Sequence, residues 1–459
     1  MSHLILAASD QATTPIHALG EADLDSYLAS VSDFIRGFAA LNGFAAKAGQ
    51  VLLTPGQDGA VAGVLFGVGD GMDPMVFRAL SAKLPTGDYH LKTFPDSLVF
   101  DDIVLAFGLG GYRFDRYKRS SSPGPRLVTP GADITRTAKI IEACALARDM
   151  INTPAGDLGP LQIELIARDM AKTFGAEISV IVGDDLLTGN YPAVHAVGRA
   201  AAPDRAPRMI EMTWGSVDHP SVVLVGKGVT FDTGGLDIKP SAGMRQMKKD
   251  MGGGAHLLAL GQMVMATNLP VRLTLLLPAV ENAISGDAMR PGDVLNSRKG
   301  LTIEVGNTDA EGRLILADAL TRAGELNPVL TLDLATLTGA ARVALGPQLP
   351  PYFTDDEALA AEIATCARQA HDPVWRLPLW KGYVDALDSD IADIKNDSDA
   401  WAQAGSITAA LFLQRFAPKT AWAHFDIFAW NPRARPGWAS GAETQAIRGL
   451  FNLLCNRFS

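Results

Sequence analysis

Three short segments hold the residues best suited to chemistry. Val225-Gly-Lys-Gly-Val-Thr-Phe-Asp-Thr-Gly-Gly-Leu-Asp-Ile-Lys-Pro240 carries Lys227, Asp232, Asp237 and Lys239 in loop-like surroundings. Lys249-Asp-Met-Gly-Gly-Gly254 opens a helical pattern, and Asn307-Thr-Asp-Ala-Glu-Gly-Arg313 stands between a strand and a helix. Together they supply several carboxylates and several cations. Carboxylates that converge without compensation repel one another and are costly to bury. Divalent cations remove that cost. Two ions about 3.5–4 Å apart that share carboxylates polarise a carbonyl and turn a water into a hydroxide nucleophile.

Taken singly, each residue has a plainer reading. Asp250 or Asp309 alone is more often a helix cap, and Gly234, Gly235 and the glycines at 252–254 are more often mere turns. Met247 alone reads as core. Gly226-Lys-Gly228 lacks the spacing and the following Ser or Thr of a phosphate loop. Eight histidines are scattered without a His-x-x-x-His or His-Glu pattern, so His256 and His424 read as packing or hydrogen-bonding residues. The metal reading belongs to the set of acids and lysines, not to any one of them.

Such a set needs a scaffold that gathers distant loops. Near-continuous apolar runs at 221–225, 271–277, 301–305, 329–334 and 422–428 read as strands buried on both faces. Helical patterns at 251–267 and 311–325 lie between them, which predicts a largely parallel sheet sandwiched by helices. Such sheets hold ligands at the carboxyl ends of their strands. There Lys227 follows the first strand, Glu281 the second, Asn307, Asp309 and Glu311 the third, and Thr336 the fourth. The first 120 or so residues read as a mixed α/β unit, with strands at 50–53, 63–67 and 103–106 and a helical run at 23–41. Arg119-Ser-Ser-Ser-Pro-Gly-Pro125 is the expected boundary, and a long helix from near Asp133 to Ile151 ends at Asn152-Thr-Pro154. The expected fold is α/β: a small N-terminal α/β domain, 1–125, then a larger α/β/α catalytic domain, 126–459, with a mostly parallel central sheet.

Bulk composition narrows the partners. A net charge of −10 argues against a broad nucleic-acid or anionic-membrane surface. Cys144, Cys366 and Cys455 are odd in number and widely spaced, which excludes a disulfide scaffold and suits a reducing compartment. Residues 1–8 lack the basic start of a secretory signal, and no apolar stretch reaches the roughly 18 residues of a membrane span. A cytoplasmic location is expected.

The blocks 225–240, 249–253 and 307–314 resemble the signature regions of the leucyl aminopeptidase (cytosol aminopeptidase) family, and Asn307-Thr-Asp-Ala-Glu-Gly-Arg-Leu314, its most distinctive octapeptide, stands intact. Weaker similarity includes Asn152-Thr-Pro154, Glu281-Asn282, Asp333-Leu-Ala-Thr-Leu-Thr-Gly-Ala340 and Trp422-Ala-His-Phe-Asp-Ile427, and it covers the chain from about residue 105 onward. The resemblance implies a metalloaminopeptidase that cuts peptides bearing a free N-terminus through a water or hydroxide bridging two divalent metals. It implies that Asp232 and Glu311 bridge both ions, that Asp309 completes one site, and that Lys227 with Asp250 completes the other. A lysine ligand must be deprotonated, which a nearby dication favours. By the same resemblance Lys239 stabilises the gem-diolate, Arg313 holds a bicarbonate that serves as general base, and Asp250 helps bind the α-amine. Asn307 would position the substrate, and Met247, Thr336 and Gly339 would line the pocket for its first side chain.

Oxygen-rich ligands with one amine suit Zn²⁺ or Mn²⁺ foremost, with Co²⁺ and Mg²⁺ as alternatives. The resemblance also implies a homohexamer. Two departures fall near the implied pocket: Gly441-Ala-Glu-Thr444 replaces the family's Thr-Gly after Gly-Ala, and Phe428-Ala-Trp430 replaces a small pair. They leave the preferred first residue open. A DNA-binding regulatory role or a catalytically silent scaffold is the alternative. The acidic balance opposes the first, and the presence of all seven metal and catalytic residues opposes the second.

Overall fold

The computed structural model describes residues 2–56, 59–118, 123–398 and 403–459. The chain folds into two compact units, Met1–Ala145 with Asn431–Ser440, and Leu146–Trp430 with Gly441–Ser459. Residues 119–122 of the turn-rich stretch lie outside the described residues. The division falls inside the helix Thr135–Asn152, whose first part belongs to the smaller unit, where Ile141 lies against Gly108.

The smaller unit holds six strands in the order Ile5–Leu6, Pro125–Val128, Gly87–Thr93, Thr14–Leu19, Val61–Gly67 and Val51–Pro55. All neighbours are parallel except the last pair. Two expectations fail here. Residues 103–106 lie in the helix Phe100–Gly110 rather than in a strand. A short apolar run does not separate the two states by periodicity, and this helix is buried along most of its length behind Asp101 and Asp102 in its first turn. The helical run 23–41 is two helices, Leu24–Ser30 and Asp33–Leu41, parted by an extended Val31 and by Ser32, whose side chain caps the second.

In the larger unit the central sheet runs Trp375–Arg376, Pro351–Phe353, Ala421–Asp426, Leu330–Ala335, Ser221–Gly226, Arg272–Asn282, Arg208–Trp214 and Glu177–Val182. Gly228–Asp232 pairs in parallel with the far half of Arg272–Asn282. The four middle strands are mutually parallel, and the antiparallel pairings lie toward the edges. Val222, Val223, Leu224 and Val225 are all fully buried, as a strand covered on both faces requires. Leu314, Ala317 and Leu320 of the helix Glu311–Glu325 share one core with Val223 and Val225. The helix Gly252–Ala266 lies close to the sheet at its start, where a Cβ on Gly253 would meet the Leu334 carbonyl oxygen at 2.1 Å. Only glycine permits that approach, and it brings the helix start to the strand ends.

Two details differ from the sequence reading. The run 301–305 forms the strand Thr302–Glu304 in a separate sheet, antiparallel to Val294–Asn296 and parallel to Ile394–Lys395. Its alternating burial shows that it lies outside the doubly covered layer. The second strand continues to Asn282, because Ala279, Val280 and Asn282 pair with Gly228–Asp232, so Glu281 lies within the strand. Among the described residues no helix is long and apolar enough to cross a membrane.

Candidate active site

The strand ends, the start of one helix and one loop converge on a buried cluster. Lys227 follows Ser221–Gly226, and its ammonium lies 2.8 Å from Asp250 Oδ2 and 2.9 Å from Glu311 Oε1 while donating to the Thr336 carbonyl at 3.1 Å. Gly312 leaves it room, since a Cβ there would meet Lys227 Nζ at 2.7 Å. Asp232 closes the strand Gly228–Asp232. Its Oδ1 accepts from Gly234 N–H and from Asn282 Nδ2, each at 2.8 Å, and its Oδ2 lies 2.8 Å from Lys239 Nζ. Lys239 also contacts Asp309 Oδ1. Thr336 Oγ1 donates to Asp250 Oδ1 at 2.8 Å. Asp232, Asp309 and Glu311 can each turn an oxygen to within 4.8 Å of the others.

The loop between them is fastened by small polar groups. Asn307 Oδ1 accepts the Asp309 N–H at 2.8 Å. Buried Thr308 donates from Oγ1 to the Gly234 carbonyl at 2.6 Å, and its N–H reaches Asp237 Oδ2 at 2.7 Å. Asn396 Oδ1 accepts from Gly306 N–H at 2.9 Å, its Nδ2 donates to the Asn307 carbonyl at 2.7 Å, and its own carbonyl accepts Arg313 Nη1 at 2.6 Å.

Two lysines, Lys227 and Lys239, face four acids: Asp232, Asp250, Asp309 and Glu311. Burial would strip the proton from each lysine, but the surrounding carboxylates outweigh it and hold both pKa values above the usual ammonium range. Burial also raises Glu311 and Asp309, and the Asp232 charge adds to it, taking Asp309 up to about 6. Asp250 moves the other way, because Lys227 and Lys249 overcome the effect of burial. Glu311, Asp309 and the two lysines shift upward together because negative charge is in excess. Asp250 Oδ2, Asp309 Oδ1 and Glu311 Oε1 are buried, and lysine ammonium groups are their ion-pair partners. Carboxylate oxygens beside an amine nitrogen, with too little positive charge among them, are a donor set that fits divalent cations. Arg313 Nε is likewise buried without a hydrogen-bond partner, which fits a small oxyanion.

The structure thus gathers Lys227, Asp232, Lys239, Asp250, Asp309, Glu311 and Thr336, with Asn307 and Arg313 on the same loop and helix start. Met247 meets the cluster through its backbone, its carbonyl accepting Asp250 N–H at 3.2 Å. Gly339 opens the helix Gly339–Leu345, and a Cβ on it would meet nothing within 4 Å. The two departing segments meet, Glu443 N–H donating to the Ala429 carbonyl at 3.2 Å, and the adjoining Gln445 Oε1 accepts from Phe428 N–H and Ala429 N–H, each at 2.9 Å. The Lys249 ammonium lies 4.8 Å from the Phe428 ring, and burial lowers its pKa to about 8.

Glu281 pairs with Arg205 and takes no part in the cluster's ion pairs. His256 is structural: its Nδ1 meets the Gly252 carbonyl at 2.7 Å, its Nε2 takes the Gln445 N–H at 3.0 Å, and burial lowers its pKa to about 4. His424 pairs with Asp333 at 2.5 Å inside the sheet. Sequence reasoning passed over Thr308 and Asn282, although both stand inside quoted motifs. It also passed over Asn396, a lone amide 83 positions from Arg313, which no local signal marks.

The catalytic-domain model of the cytosol aminopeptidase family matches residues 145–451, and the model of the M17 aminopeptidase N-terminal domain matches residues 14–130. A protein of Syntrophotalea carbinolica named "Probable cytosol aminopeptidase" is 40% identical, over 77% of this chain and 74% of its own. The structure of a cytosol aminopeptidase from Coxiella burnetii is similar at a TM-score of 0.95 and 44% identity, covering 99% of this chain and 100% of that one. The bottromycin maturation enzyme BotP in complex with Mn is similar at a TM-score of 0.87 and 33% identity, covering 97% and 100%.

Proposed function

The chain belongs to the cytosol aminopeptidase family, and we propose that it releases N-terminal amino acids from peptides with two divalent cations held by Lys227, Asp232, Asp250, Asp309 and Glu311. The hydrolase class and the dependence on metal come with the family; the ligand set, the roles and the ion are our reading. The observation that carries it is the trio of buried acid oxygens, Asp250 Oδ2, Asp309 Oδ1 and Glu311 Oε1, which two lysines pair but do not neutralise. Asp232 and Glu311, central to the cluster, would be shared by the two ions; Asp309 would serve one of them, and Asp250 with Lys227 the other.

Cations bound there would polarise the scissile carbonyl and acidify a water. Lys227, deprotonated beside a dication, would offer its amine nitrogen as a ligand. Lys239 stays charged and donates to the oxygen that gains charge as the carbonyl is attacked. Asp250 takes a hydrogen bond from the substrate's α-amine, which restricts cleavage to N-terminal residues. Arg313, whose Nε is unpartnered, would hold a bicarbonate that serves as base. Asn307 orients the peptide, and Met247, Thr336 and Gly339 line the pocket for the first side chain. Manganese or zinc is the proposed ion, and the manganese complex of BotP supports the first. A homohexamer in the cytoplasm completes the proposal; light scattering tests the assembly.

The direct test is hydrolysis of aminoacyl-p-nitroanilides after chelation, with Zn²⁺, Mn²⁺, Co²⁺ or Mg²⁺ restored singly. Cleavage that returns with metal is expected. A folded, metal-loaded protein that cleaves no substrate with a free α-amine overturns the proposal.

A further inference from the structure

We propose that the pocket for the substrate's first side chain selects an acidic residue, with Lys249 supplying the countercharge; this rests on the aminopeptidase reading above. Lys249 stands next to Asp250, on the side of the cluster where the α-amine would bind. Its side chain is buried, with the residue 6% exposed. Among the described residues no carboxylate makes an ion pair with its ammonium, which lies 4.8 Å from the centre of the Phe428 ring. A cation over an aromatic face recovers less than an unpaired buried ammonium costs.

The neighbouring acids are committed elsewhere. Asp250 is taken by Lys227 and Thr336. Asp426 accepts from Leu337 N–H at 3.0 Å, from Thr338 N–H at 3.1 Å and from Thr338 Oγ1 at 2.7 Å. A second cation, the exposed Arg342, lies 5.1 Å from the same Phe428 ring. Phe428 and Arg342 border a small open recess together with Thr338, Asp426 and Gln445. The absent Cβ of Gly339 leaves open space close by in the chain. Lys249 reaches this recess through Phe428, and an apolar first residue would leave its ammonium unpaired. A glutamyl or aspartyl carboxylate would pair it by a charge-assisted hydrogen bond.

The experiment compares kcat/KM for glutamyl-, aspartyl-, leucyl- and lysyl-p-nitroanilides on the metal-loaded enzyme and on Lys249→Met and Lys249→Glu, with bound metal quantified in each. The wild type should favour glutamyl or aspartyl over leucyl. Lys249→Met should lower the glutamyl-to-leucyl ratio by about tenfold or more, chiefly through KM, whereas loss of metal would lower every substrate alike. Lys249→Glu should move the preference toward lysyl. Should either variant fail to fold, the wild-type panel alone decides. Cleavage with leucyl favoured over both acidic substrates overturns the acidic pocket and leaves the aminopeptidase standing. No cleavage of any substrate overturns both.

Discussion

Asn396→Ala tests how the site is held. The side chain is fully buried and joins four backbone groups: Oδ1 accepts from Gly306 N–H at 2.9 Å and Asn307 N–H at 3.2 Å, and Nδ2 donates to the Asn307 carbonyl at 2.7 Å and the Ala310 carbonyl at 3.3 Å. These groups belong to the loop that carries Asp309 and leads into Glu311 and Arg313. Alanine strands two amides and two carbonyls, and an unmet buried group costs about 1–3 kcal/mol. The two short bonds dominate, and a water entering the gap recovers part of the loss, so about 2–4 kcal/mol of stability should go. Asn396→Asp keeps the acceptor but sets a carboxylate oxygen against the two carbonyls, and should destabilise at least as much. Thermal unfolding of the chelated protein reads the stability, and turnover of the metal-loaded enzyme reads the displacement of Asp309, Glu311 and Arg313. An Asn396→Ala protein that melts with the wild type and turns over within about twofold of it would refute the reasoning.

Lys239→Ala should cut kcat by about 10²–10³ while both metals stay bound, because it removes charge stabilisation rather than a ligand. Asp309→Ala and Glu311→Ala should abolish turnover and weaken metal binding in titration calorimetry; full activity in either sinks the ligand assignment. Gly312→Ala should lose turnover with only a modest change in melting, since helix propensity gains about 1 kcal/mol while the new methyl displaces Lys227. Gly253→Ala meets the unyielding Leu334 carbonyl instead and should melt far lower. Burial raises Asp318 to about 7, and burial with the Asp232 charge raises Asp309 to about 6, while unfolded aspartates titrate near 4. Between those values the folded chain holds protons that the unfolded chain has released. The stability of the chelated protein should therefore fall as pH rises from about 4 to about 7, and Asp318→Asn should flatten that slope.

Much of this was legible along the chain. Apolar runs too continuous for a one-sided sheet announced the buried strands Ser221–Gly226, Leu330–Ala335 and Ala421–Asp426, because a strand covered on both faces has no polar side to alternate with. The helix Glu311–Glu325 emerged at its expected bounds. The acids and lysines could be named because their motifs are local: each ligand stands within a few residues of a glycine or a strand end.

What crossed the chain could not be read. Residues 103–106 looked like a strand because apolar content is the same in a buried helix, and only packing separates the two. The strand Thr302–Glu304 left the central sheet because pairing with Val294–Asn296 and Ile394–Lys395 is a matter of spatial neighbours, to which its own residues are indifferent. Asn396 carried no signal, since a hydrogen-bonding amide becomes a hub only once folding delivers its partners. Lys249 reads as one more charge beside Asp250; its burial against Phe428, about 180 positions later, exists only in the folded chain. Sequence determined which groups could do chemistry, through local spacing. Tertiary structure alone decided which charges are left without partners, because a charge is unpaired only relative to everything that packs around it.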